Sequence, residues 1–174
     1  IGWYDSILKP SIQNCVAYAG SLETSLKEEN LKASELEWQS ISIAWRGVEP
    51  FIIKDLRNSF LAFRIDNWPV DTSDIKEILS STELIDEDFV NSLPSDNVGF
   101  YAIEYLVFSK HLEKNKKYYQ LLKLLGKVLR TDFLKTEKII SDSEEDFKTA
   151  TGYTLSSTIG QVLNQAPQVC EEAL

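Results

Sequence analysis

The sequence contains no methionine, one histidine, His111, and two cysteines, Cys15 and Cys170. Those shortages narrow the chemistry before any element is assigned. A zinc site built mainly from imidazole and thiolate ligands is excluded by supply. A serine triad or a Cys-His pair would depend on that one imidazole, and no nucleophile-elbow signature surrounds any Ser or Cys. Two cysteines so far apart form no disulfide framework and read as free or half-buried thiols. Glycine numbers only seven, and no Asn-Gly or Asp-Gly pair is present to turn a hairpin. Basic side chains are also short, 18 against 27 acidic, for a net charge of −9. A nucleic-acid partner needs clustered Lys and Arg, so none is expected. No apolar run approaches the ~20 residues of a membrane helix, and no transmembrane segment is expected. Because the chain begins at Ile1 and carries no methionine, we expect a removed signal peptide or an excised fragment.

What is present suits a soluble globular protein: 174 residues, 43% apolar, 11% aromatic and 26% charged. One domain of that length buries about 70% of the surface of its unfolded chain and folds without metal or disulfide. The apolar spacing is helical. Ile12, Cys15, Val16, Ala19, Leu22 and Leu26 form one stripe of a helix opening after Pro10. After a polar break at Lys27 to Asn30, Leu36, Ile41, Ala44, Trp45 and Val48 give a second face, with a kink or break at Pro50. A third helical pattern runs through Phe51, Ile52, Leu56, Phe60 and Phe63. Trp68-Pro69 marks a turn, and Asp71 or Thr72 caps a short helix through Ile75 and Leu79. The acidic stretch Glu83 to Asp88 reads as a short helix with a solvated face, because it lacks the ordered oxygen spacing of a calcium loop. Ser95 or Asp96 should start an unusually apolar helix, roughly Asn97 to Lys110, expected at the centre of the protein. A long amphipathic helix from Tyr118 to Ile139 holds Gly126 as a weak point or a close contact, and a further helix begins at Leu155. Alternation is short everywhere, so no strand is expected. The fold class expected is all-α, an up-and-down helical bundle.

Within the central helix, Glu104 is the only charge between Asp96 and Lys110, and Tyr101 precedes it by one turn on the same face. Such a carboxylate either pairs with a buried Arg, Tyr or Trp and fixes packing, or serves as a ligand or acid/base group. Trp45, Arg46 and Glu49 place a cation and a carboxylate where they could reach it. Of these, Arg46 reads as a surface side chain and Glu49 as a partly buried one. Trp38, Trp45 and Trp68 read as core, and His111 as a solvated residue after the central helix.

The stretch Gly99-Phe100-Tyr101-Ala102-Ile103-Glu104-Tyr105-Leu106-Val107-Phe108 resembles the Gly-x-His-x-x-Glu signature of the imelysin family. Trp38 and Trp45 with Glu49 and Phe51 resemble that family's tryptophan-rich second helix, and Ile65-Asp66-Asn67-Trp68-Pro69 resembles its Ile-Asp-x-Trp-Pro element. The resemblance implies two packed helical bundles with the motif facing the groove between them. Residues 1–145 would be the first bundle; residues 146–174 would be a linker and the first helix of a second, completed by a C-terminal remainder. It also implies an exported protein of the periplasm or cell envelope, and either a metallopeptidase or a component of iron uptake. Tyr101 stands where the motif has histidine, which removes a nitrogen ligand and offers a phenol with an ordinary pKa near 10. A phenol with carboxylates suits ferric iron better than zinc. The implied function is therefore binding of a small ligand or a metal ion, iron or zinc, through Glu104, Tyr101, Glu49, Asp66 and Trp68, with Gly99 structural. The alternatives are a metallopeptidase using Glu104 and a non-catalytic helical interaction module.

Overall fold

The computed structural model describes residues 2–52 and 54–145. Among them every regular element is helical. The chain enters on a widened turn over Tyr4–Leu8 that runs directly into α1 (Lys9–Lys27). Pro10 has no N–H to donate to that preceding turn, and the regular ladder gives way there. At the polar break Asn30 accepts the Ala33 amide at 3.2 Å and so caps α2 (Leu31–Trp45). A tight turn over Glu49–Phe51 follows, as Pro50 requires.

The pattern through Phe51 to Phe63 does not become one helix. It divides into α3 (Lys54–Asn58) and α4 (Leu61–Ile65), with Phe60 between them at a left-handed φ of 58°. The reason is geometric: Leu56 and Ile65, nine residues apart, lie on opposite sides of a continuous helix, yet both are buried. The break lets both face the core and leaves Phe60 and Phe63 exposed.

Asp71 accepts the amides of Ser73 and Asp74 and opens α5 (Thr72–Ser80), as its sequence predicts. Asp86 caps α6 (Glu87–Ser92) in the same way, within a largely exposed acidic stretch. The central helix, α7 (Gly99–Phe108), starts later than expected and has no side-chain cap. Ser95 is engaged elsewhere, accepting from Asn67 Nδ2 at 3.1 Å. Gly99 begins α7 at a φ of +75°, where an added Cβ would lie 2.5 Å from the carbonyl oxygens of Arg64 and Ile65. Only glycine lets α7 start so close to the α4 backbone.

The 27-residue α8 (Lys116–Asp142) closes the described bundle, capped by Asn115. Helix α1 packs between α2 and α8, and α7 packs on both of these partners. Ile12, Cys15, Ala19, Leu22 and Leu26 fill the centre with Ile41, Trp45, Ile103, Leu125, Leu129 and Phe133. Gly126 is the close contact: a Cβ there would lie 2.6 Å from Leu26 Cδ1. The architecture is thus an all-α bundle, with short helices α3 to α6 bridging its long members. The helix expected from Leu155, the 146–174 segment as a whole and Cys170 lie outside the described residues, while Cys15 is a buried free thiol pushed up to about 12 by desolvation.

Candidate functional site

The end of α2 and the turn after it supply Trp45, Arg46 and Glu49. The loop after α4 supplies Asp66 and Trp68, and the first turn of α7 supplies Tyr101. Trp45 is fully buried against Phe133, and its indole Nε1 donates to Asp66 Oδ2 at 2.7 Å. One bond therefore ties the core to the site and fixes the Asp66 carboxylate. Arg46 Nη1 donates to Glu49 Oε1 at 2.6 Å, three residues away. The Asp66 carboxyl lies against Glu49. Burial first, then this carboxyl neighbour, push Glu49 up to about 7, against the opposing pull of Arg46. Tyr101 is pushed up to about 12 by desolvation and the Asp66 charge, with Arg46 again opposing. The phenol is thus neutral near neutral pH. Its ring meets Trp68 at 5.2 Å in an edge arrangement. Trp68 is 61% exposed, which corrects the reading that placed it in the core.

Glu104 follows Tyr101 by one turn of α7. Phe100, Glu104 and Phe108 follow one another at four-residue steps, and the Trp38 indole contacts the first and last rings at 5.9 and 5.4 Å. Trp38 Nε1 also donates to the Phe100 carbonyl at 2.7 Å, bracing α7 against α2. Glu104 is half-buried beside this bracket, and desolvation raises its pKa. Among the described residues no hydrogen bond or ion pair reaches its carboxyl, so the packing role that needs a buried partner is not seen there. Arg46 and Glu49 engage Tyr101 and Asp66 instead. His111 is exposed, as expected.

Four of the five sequence candidates, Glu49, Asp66, Trp68 and Tyr101, are therefore neighbours. Arg46 is exposed, as its surface reading has it, and from there its guanidinium reaches Glu49 and Tyr101. Its signal was the three-residue spacing to Glu49, which pairs two ions on one helical turn. Among the described residues no group of three or more His, Cys, Asp or Glu side chains is placed to hold a metal ion. The described donors, two carboxylates and a neutral phenol, do not complete a zinc or iron centre. Cavities of about 290 Å³ beside the first turn and about 210 Å³ between α6 and α8 contain none of the candidate residues.

A model of the imelysin family of peptidases matches residues 3–171. The chain belongs to the imelysin family. No curated protein and no solved structure matches it significantly. Family membership agrees with the observed bundle, and no described helix is long and apolar enough to cross a membrane.

Proposed function

We propose that this imelysin-family chain is a non-proteolytic binding protein of the bacterial periplasm or cell envelope, taking a small ligand or a metal ion in the service of iron or nutrient uptake. The observation that carries the reading is the Glu49–Asp66 carboxyl pair, drawn together from separate elements and set beside Tyr101 and an exposed indole. Like charges held together favour an incoming cation or proton donor. The ligand enters between Trp68 and the carboxylates, Asp66 is held in place by Trp45, and Arg46 limits the negative charge. Residues 1–145 form one wall of a groove. What favours binding over peptidase chemistry is Tyr101, a phenol at the position that resembles the motif's histidine.

Elemental analysis of the full chain tests this reading, comparing wild type with Asp66→Asn and Glu104→Gln. Stoichiometric iron that is lost in Asp66→Asn supports a metal-ion ligand. No metal, together with saturable quenching of Trp68 fluorescence by periplasmic small-molecule extracts, supports an organic one. Bound zinc with metal-dependent peptide hydrolysis overturns the reading and restores the peptidase.

A further inference from the structure

Two adjacent rows of α8 form one wall of the cavity of about 210 Å³ that α6 closes from the other side. Four-residue steps place Leu124, Val128 and Asp132 in one row and Lys127 and Lys135 in the next, while Glu87 lines the α6 side. Asp132 is the unusual member. It is only 4% exposed, and a carboxylate buried to that depth calls for donors on both oxygens. Arg64 Nε, from α4, donates to Oδ2 at 2.9 Å. Oδ1 has the Lys135 ammonium at 3.6 Å, beyond hydrogen-bond reach, so among the described residues this oxygen accepts no hydrogen bond. A buried acceptor without a donor therefore stands in the wall of a cavity.

The balance of charge narrows what can fill it. Lys127 and Lys135 are matched by Glu87 and Asp132, so these side chains are neutral in sum yet carry two charges of each sign. Two ammonium groups disfavour a metal ion or a simple cation, and two carboxylates disfavour a free anion. A zwitterion answers both signs at once. Its ammonium donates to Asp132 Oδ1, and its carboxylate meets Lys127. The Lys127–Glu87 pair is about half exposed on both sides, and a surface pair of that kind contributes little, so exchanging Glu87 for a ligand carboxylate costs little. Volume sets the size. At about 30 Å³ each, about seven waters fill the 210 Å³, which is room for a ligand of about that many non-hydrogen atoms. Leu124 and Val128 offer such a ligand an apolar surface for a short side chain.

We propose that the cavity between α6 and α8 binds a small α-amino acid with a short aliphatic side chain, its ammonium held by Asp132 and its carboxylate by Lys127. Arg64 holds the Asp132 carboxylate from α4 and leaves its second oxygen to the ligand. None of the cavity's residues belongs to the candidate set of the preceding sections, so the proposal does not depend on the function proposed there.

The test titrates the full chain by calorimetry with L-valine, with isobutylamine, which lacks the carboxylate, and with isovalerate, which lacks the ammonium. The expected result is saturable one-site binding of valine and affinity weaker by about tenfold or more for both analogues. In Lys127→Gln, altered at a half-exposed side chain, valine affinity should fall about tenfold at a nearly unchanged melting temperature. Asp132→Asn should weaken valine binding as well; because it also disturbs the partner of Arg64, Lys127→Gln carries the comparison if that variant fails to fold. No saturable binding of valine to wild type overturns the proposal. Equal affinity for all three compounds overturns it too, because the cavity then reads only the aliphatic part. Unchanged valine affinity in Lys127→Gln has the same consequence, since the amino acid then sits elsewhere.

Discussion

Gly99 and Glu49 carry the sharpest consequences at the scale of single residues. Gly99 combines a positive φ with carbonyl oxygens of α4 at 2.5 Å from any added Cβ, so Gly99→Ala must push α7 away from α4. The backbone conformation alone costs an L-residue about 1–3 kcal/mol. A denaturant melt should show at least that loss, and an unchanged midpoint would contradict the geometry. Glu49 behaves differently, because its folded pKa, about 7, lies above the ordinary carboxyl value of 4.5. Between those values the folded state binds more protons than the unfolded one, so stability falls as pH rises. The contribution is fully present below about pH 4.5 and is lost as pH passes through 7. Glu49→Gln should therefore flatten the decline in melting temperature between pH 5 and 8. An identical slope in wild type and variant would show that neither burial nor Asp66 raises the Glu49 carboxyl. The Gly99 requirement was legible only as a motif position, and Glu49 and Asp66 were brought into one region only by the family resemblance, since no spacing rule connects position 49 to position 66.

Elements were legible in proportion to their length. Helices α1, α2, α7 and α8 carry apolar stripes long enough to fix both type and buried face. The segment from Phe51 to Phe63 misleads because its aromatics keep helical spacing while the core draws Leu56 and Ile65 from opposite sides. Trp68 misleads in another way: a large indole is usually buried, yet here it stands over Tyr101 in solvent. Capping was read correctly at Asp71, which accepts two amides at the start of α5. Asp71→Ala should cost about 1 kcal/mol in a thermal melt, and Asp71→Asn much less. Equal losses in the two variants would mean that charge, and not the cap hydrogen bonds, matters at that position. The close contact at Gly126 makes a second element-scale expectation. Gly126→Val should displace the buried Leu26 side chain and destabilise by about 1–3 kcal/mol, despite valine filling more space.

Across the whole molecule, one side chain couples stability to the site. Trp45 is fully buried against Phe133, and its outer edge holds Asp66. The bundle therefore does more than carry the candidate residues: its core sets where Asp66 points, and Trp38 sets how α7 lies on α2. All-α architecture and most of the candidate set could be read from the sequence, because both follow from helical periodicity and a motif. The most direct test of the central claim is a calorimetric titration of the full chain with ferric citrate, in wild type, Asp66→Asn and Trp68→Ala. The account predicts saturable binding to wild type and loss of binding in Asp66→Asn at nearly unchanged melting temperature. Binding of equal strength in all three proteins would contradict it.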